Sequence, residues 1–185
     1  MISDVQSKAK ERMTKAVDAL KKDLQAIRTG RASSGLLDHI RVDYYGTPTP
    51  LSGVATINVP ESRLIVVQPW DRNLLGPIEK AIQTSDLGIT PNNDGAVIRL
   101  QMPQLTEQRR KELSKQVQKR VEEGRIAIRN VRREAHDDLR KLEKDKTSPE
   151  DEVRRSIDQL QKTVDGFIAD VDKVGKEKEQ ELMAI

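Results

Sequence analysis

Proline is confined to one stretch of this chain. Seven of its eight prolines (Pro48, Pro50, Pro60, Pro69, Pro77, Pro91 and Pro103) and six of its ten glycines lie within residues 31–104. Proline removes a backbone donor and clashes inside a helix, so the flanks are free to form long helices and the middle is not. Spacing supports this. Ile2, Val5, Ala9, Met13, Ala16, Leu20, Leu24 and Ile27 recur at threes and fours, the pattern of one buried helix face. A second helix is expected to start at the capping residue Thr106, with Glu107 placed well for the dipole. Its seam is Leu113, Val117, Val121, Gly124, Ile128, Val131, Ala135, Leu139 and Leu142. A third opens on Ser148-Pro149-Glu150-Asp151: a cap serine, proline at the first helical position and an acid three residues on. Val153, Ile157, Leu160, Val164, Phe167, Val171, Val174 and Leu182 follow. Residues Lys144 to Thr147 form a turn short enough to return the third helix antiparallel to the second. Helices this polar must bury their stripes together, which predicts an elongated antiparallel three-helix bundle whose longest member spans about 60 Å.

The proline-rich middle reads as mixed α/β. Ile40 to Tyr44 alternates as a half-buried strand does, and Val54–Val59, Leu64–Gln68 and Ala96–Leu100 are further strands. Leu74 to Thr84 reads as a short helix closed by Asp86-Leu87-Gly88. The expected class is therefore α+β. Residues 1–30 plus 105–185 form a discontinuous bundle domain, 31–104 an inserted β/α/β domain with one small sheet, and a two-strand hinge lies at 29–31 and 102–105.

Composition removes several classes of function. The 185 residues include no cysteine, which excludes disulfides and thiolate zinc sites. No apolar run approaches the ~20 residues that span a bilayer, and Met1 to Gln6 lack the pattern of a signal peptide. A soluble, cytoplasmic protein is expected. Only 2% of residues are aromatic, too few for recognition of bases by stacking. Gly30 to Gly35 has the glycine spacing of a phosphate loop, but Leu36-Leu37 stand where lysine and serine or threonine are needed. Ser33 sits in no nucleophile elbow, because Arg31 occupies the place of the first glycine. His39 and His136 have no metal-ligand partner at helical or strand spacing, and Asp38 and Asp43 read as solvated strand-end acids. No catalytic residue, metal site or cofactor site is expected.

Charge is patterned beneath a formal net of +3. Residues 105–133 carry ten basic and four acidic side chains, whereas 134–185 carry ten and fifteen. With Ile128 at 0° on the second helix, Arg132, Arg125, His136, Arg129, Lys111, Arg140 and Arg133 fall at about 40° to 140°, one stripe beside the seam. Glu122 and Glu143 interrupt it. From 124 to 133 there is no acid, so Arg125, Arg129, Arg132 and Arg133 read as uncompensated. A solvated face laced with intrahelical pairs fits the acidic third helix, where Asp172 and Lys176 are four apart, better than it fits these arginines. Forked guanidinium groups suit phosphate, which points to a nucleic-acid backbone. A membrane surface is disfavoured, since the apolar face is needed for packing and carries no bulky aromatic anchors.

Several motifs agree in order and spacing with one family. Arg28-Thr29-Gly30-Arg31-Ala32-Ser33, Asp43-Tyr44-Tyr45-Gly46-Thr47-Pro48, Ser85-Asp86-Leu87-Gly88, Leu105 to Lys111 and Val131-Arg132-Arg133-Glu134-Ala135 resemble ribosome recycling factors, over the whole chain. The resemblance implies an L-shaped molecule and a monomeric translation factor without catalytic activity. It implies that the factor, with elongation factor G and GTP, splits the post-termination ribosome and releases messenger RNA and deacylated transfer RNA. It also implies contacts from Arg110, Arg129, Arg132 and Arg133 to large-subunit ribosomal RNA near the peptidyl-transferase region and the intersubunit bridge. It assigns RNA contacts also to Arg28 and Arg31, which flank the elbow, with Arg109 and Arg125 as further candidates, and makes Gly30, Pro103 and Gln104 hinge positions. Gly30 also reads as a helix C-terminal glycine. Ser34 and Gln108 depart from the family pattern, where proline and glutamate are usual. The competing reading is a basic helical scaffold that binds RNA or protein without recycling; a hydrolase in the insertion has no residues in its favour.

Overall fold

The structure is a computed structural model that describes residues 1–184; Ile185, the last residue of the expected bundle segment, lies outside them. In chain order the elements are α1 (Ile2–Gln25), β1 (Arg41–Tyr44), β2 (Thr47–Pro50), β3 (Ala55–Glu61), β4 (Leu64–Pro69), α2 (Leu75–Gln83), β5 (Asn92–Asn93), β6 (Ile98–Gln101), α3 (Glu107–Lys144) and α4 (Glu150–Met183). They form two compact units, Met1–Arg28 with Glu107–Ala184, and Thr29–Thr106.

In the first unit three helices pack pairwise. Arg12 meets Glu134 and Leu20 meets Gly124, while Ser114 meets Glu179 and Arg125 meets Asp172. These pairings run α3 antiparallel to both α1 and α4, and therefore α1 parallel to α4. The α3 seam is buried as its spacing predicts, from Leu113 through Leu139, with Leu142 half-buried at the end. In α4, Ser156 and Gly175 join the buried stripe, while Ile157, Phe167 and Val174 are only half-buried. Ser156 can enter because its hydroxyl donates to the Glu152 carbonyl at 2.8 Å, so no polar group is stranded. Gly175 enters because the helices are close: a Cβ there would lie 2.6 Å from Val121 Cγ2.

The α3–α4 turn is a Schellman closure. Thr147 N–H donates to the Leu142 carbonyl and Lys146 N–H to that of Glu143, both at 3.0 Å. Lys146 takes the left-handed position usually given to glycine, at φ 56°. Two terminal expectations are corrected. Pro149, with extended ψ of 145°, is itself the cap of α4 and no side chain caps it, so Ser148 lies one residue too early. α1 ends at Gln25, five residues before Gly30, so Gly30 is not its C-terminal glycine. Gly30 belongs to the second unit, at φ 77°, where a Cβ would meet Leu105 Cγ at 3.3 Å.

That second unit has two sheets rather than one: a β1–β2 hairpin, and a four-stranded antiparallel sheet in the order β3-β4-β6-β5. β2 and β5 were not expected. β2 contains Pro48 and Pro50, which a sheet interior would reject; here they alternate with Thr47 and Thr49 on an edge strand whose nitrogens can face outward. β5 is only two residues long, too short to show alternation. The core is aliphatic, with Val42, Leu51, Ile65, Val67, Ile78, Ile82, Ile98 and Leu100 at its centre. Ala32 N–H donates to the Ser62 carbonyl and Met102 N–H to that of Arg63, each at 2.7 Å. Entry to and exit from this unit are thus pinned side by side on the β3–β4 turn.

The two glycines of α4 should respond oppositely to alanine. Gly166 has open space around it, so Gly166→Ala should stabilise by about 0.5–1 kcal/mol through helix propensity. Gly175→Ala must displace β-branched Val121 and should destabilise by about 1–2 kcal/mol; urea unfolding reads both. A second test concerns acid. Asp94 accepts from the Ala96 and Val97 N–H groups, both at 2.9 Å, and pairs with Arg99, which together hold its carboxyl well below the usual range. A depressed folded pKa stabilises above the unfolded value of about 4 and is lost as pH falls below it. Asp94→Asn should therefore flatten the acid side of the stability profile of this unit, measured by thermal melting from pH 7 to 3.

Candidate nucleic-acid interface

The α3 stripe survives as a surface, but its charges are less bare than the sequence of α3 alone implies. Arg125 is compensated from another helix. Its Nη2 lies 2.6 Å from Asp172 Oδ1 and its Nε donates to the same oxygen at 2.8 Å, while Nη1 donates to Glu122 Oε2 at 3.0 Å. These hydrogen bonds raise its already high pKa, so the group is a fixed cation bracing α3 against α4. Asp172 serves Arg125, which displaces the expected intrahelical role with Lys176. Arg129 reaches Glu122 only at 3.4 Å. Of the four arginines read as uncompensated, Arg125 is therefore neutralised and Arg129 partly so.

Arg132 and Arg133 keep that character. Arg132 Nη1 donates to the neutral Gln161 Oε1 at 3.3 Å, and among the described residues Arg133 has no hydrogen-bond or ion-pair partner. Both are exposed. Arg129, Arg132 and Arg133 occupy little more than one helical turn, so three guanidinium groups lie within about 6 Å of helix rise. An anionic chain laid along this flank would find forked donors not already satisfied by carboxylates.

The remaining candidates do not share this flank. Arg28 and Arg109 line a cleft of about 670 Å³ between the end of α1 and the start of α3, together with Asp23, Lys119 and Arg120. Arg109 pairs with Glu112 at 3.1 Å and Arg120 with Glu123 at 3.2 Å. On the α3 wheel Arg109 and Arg120 fall at about 260° and 280°, across the helix from the stripe. Basic side chains therefore gather at two places on the bundle where the sequence suggested one. Lys119 and Arg120 went unnoticed because only the docking of α1 brings them beside Arg28. Arg110 falls near 0° on the same wheel, in line with the seam, and is half-buried in the first turn of α3. Arg31 is exposed in the second unit, directly after Gly30. Pro103 and Gln104 lie in the same unit, the Pro103 carbonyl 3.5 Å from where a Gly30 Cβ would be.

The membrane alternative loses its surface, because the apolar seam of α3 is covered by α1 and α4. No helix among the described residues is long and apolar enough to cross a membrane. Among the described residues no group of histidine and carboxylate side chains is arranged to hold a metal.

Comparison with known proteins bears on the family of the chain. A family model described as ribosome recycling factor matches residues 20–183. Ribosome-recycling factors of Geobacillus thermodenitrificans and Dehalococcoides mccartyi are each 51% identical over the full length of both chains. That of Brevibacillus brevis is 54% identical over 95% of each. Among solved structures, a ribosome recycling factor in solution superposes with a TM-score of 0.73 at 41% identity, covering 100% of this chain and 98% of its own. Another, at TM-score 0.63 and 45% identity over 98% of both chains, comes from models for the T. thermophilus ribosome recycling factor and the E. coli elongation factor G bound to the E. coli post-termination complex. Sequence and fold agree over both units, and the chain belongs to the ribosome recycling factor family.

Proposed function

We propose that this protein is a cytoplasmic, monomeric translation factor that disassembles the ribosome after termination. Together with elongation factor G and GTP it separates the subunits, so that messenger RNA and deacylated transfer RNA leave. It carries out no bond chemistry; hydrolysis of GTP belongs to the partner. Family membership supports the role, and one structural observation supports the way it is performed. Arg132 and Arg133 stand exposed on α3 with no carboxylate of the described residues to neutralise them.

In this reading the bundle, Met1–Arg28 with Glu107–Ala184, is a stiff arm that grips large-subunit ribosomal RNA near the peptidyl-transferase region and the intersubunit bridge. Arg129, Arg132 and Arg133 supply phosphate contacts along one flank; Arg28, Arg109 and Arg110 supply others near the end where α1 stops. Such contacts position the arm and carry little base specificity. Arg125 contributes chiefly to the packing of α3 on α4. The inserted domain, Thr29–Thr106, is driven by elongation factor G about a hinge at its two ends, 29–31 and 102–105, and Arg31 lies within the first of these. Gly30, Pro103 and Gln104 absorb the motion.

Arg132→Ala should weaken binding to large subunits by about tenfold to a hundredfold. It should lower the salt dependence of log K by about one unit and abolish splitting followed by light scattering. Arg132→Lys should rescue it only in part, since the fork is lost. Arg125→Ala should instead lower bundle stability by up to about 1 kcal/mol and leave binding nearly intact. Normal splitting by Arg132→Ala would refute the assignment of the grip to this stripe. Gradient sedimentation separates recycling from a mere RNA-binding scaffold, because only recycling converts whole ribosomes to subunits when elongation factor G and GTP are added. Gly30→Ala, strained at φ 77° and pressed on Leu105, should slow splitting more than it weakens binding.

A further inference from the structure

Three of the four aromatic residues of this chain stand outside its cores. In the second unit the core is built from alanine, valine, leucine, isoleucine and methionine alone, while Tyr45 is 74% exposed, Trp70 67% and Tyr44 42%. Burying a large apolar side chain is worth about 1.5–3 kcal/mol, so folding gives no reason to leave all three outside. Nor are they loose. The Tyr44 and Tyr45 rings meet edge to face with centroids 4.9 Å apart. The Tyr45 hydroxyl donates to Asp71 Oδ2 at 3.3 Å, and Trp70 Nε1 donates to Thr56 Oγ1 at 2.9 Å. Tyr45 also holds a left-handed backbone position, φ 48°, beside Gly46 at φ 87° in the β1–β2 turn. Asparagine or aspartate would suit that position better than a bulky ring. An aromatic is kept there against local backbone preference.

The charge around the rings narrows what they could meet. Asp43 is fixed by accepting the Gly46 N–H at 2.8 Å, and Asp71 by accepting the Asn73 N–H at 3.0 Å. The Asp71 charge raises the Tyr45 phenol pKa, the same field an approaching ion would feel. Residues 29–106 as a whole carry six basic and seven acidic side chains, in contrast to the positive bundle. A phosphate backbone would meet repulsion at this face; arginine and lysine side chains would meet ring faces and carboxylates.

We propose that Tyr44, Tyr45 and Trp70, rimmed by Asp43 and Asp71, form a docking surface for a protein partner that presents arginine or lysine side chains. Rigid, partly polar aromatic rings beside a small number of charges are the composition of interface hot spots. This surface is separate from the RNA grip of the bundle. It rests on the recycling role only in that the partner is sought on the ribosome.

The test places p-benzoylphenylalanine at position 45 of the full chain, binds it to post-termination ribosomes and irradiates. The expected product is an adduct to a protein, mapped to a segment rich in lysine and arginine. An adduct to ribosomal RNA alone, or none from a chain shown by sedimentation to be bound, overturns the proposal. In parallel, Tyr45→Ala combined with Trp70→Ala should slow splitting at least tenfold while large-subunit binding stays within twofold. Tyr45→Phe should recover at least half the rate, and Asp71→Asn, which keeps the turn acceptor but removes the charge, should lose at least threefold. Splitting at the unsubstituted rate by the double variant also overturns it. If the unsubstituted protein splits nothing, the recycling reading fails, and the crosslink still decides this surface.

Discussion

The packing of the α3 seam against two other helices is the constraint on which the bundle depends. With only 35% of its residues hydrophobic, the chain can give each helix no more than a narrow apolar stripe. A narrow stripe is dried only by close approach, and close approach needs small residues where helices cross. Gly124 lets Leu20 of α1 and Val171 of α4 come within van der Waals reach, and Gly175 does the same for Val121. The helix-propensity cost of those glycines is the counterpart of the seam they allow to close.

Electrostatics follows from this geometry. Once α1 and α4 take two flanks of α3, the cations of α3 are sorted by neighbour. Arg125 falls against α4 and is neutralised by Asp172; Glu134 falls against α1 and is held below its usual pKa by Arg12. Arg132 and Arg133 meet solvent and, at most, a neutral amide. Of the ten basic side chains of α3 up to Arg133, Lys115, Lys119, Arg132 and Arg133 are exposed without a carboxylate partner among the described residues, and the two arginines are adjacent. Pairing has left the forked, unneutralised guanidinium groups side by side at Arg132 and Arg133.

The second unit follows a different rule. Its aliphatic core lies between a four-stranded sheet, a hairpin and one short helix, closed by Asx and serine-type turn contacts such as Asp71 to Asn73 and Ser33 to Gly35. Because Ser62 and Arg63 hold the entering and leaving strands together, the unit is self-contained at its base. Its aromatic residues are then free to face outward, where burial in a core no longer accounts for them.

Much of this was legible in the residue order, because periodicity and proline placement are local properties. The α3 seam could be read position by position, and the insertion was marked by its prolines. What stayed hidden depends on residues distant in sequence. Arg125 looked bare because Asp172 lies 47 positions away, and Lys119 and Arg120 looked unremarkable until α1 came alongside. β2 was masked by its prolines, since nothing in a single strand tells which edge its nitrogens will face. Gly30 looked like a helix stop because the early end of α1 and the contact with Leu105 are not encoded in its neighbours. The amino-acid order alone therefore determined which segments are helical, where the insertion lies and where positive charge is dense. Tertiary structure decided which of those charges remain unpaired and which glycines are sterically required, because both are set by the partner that packing brings within a few ångströms.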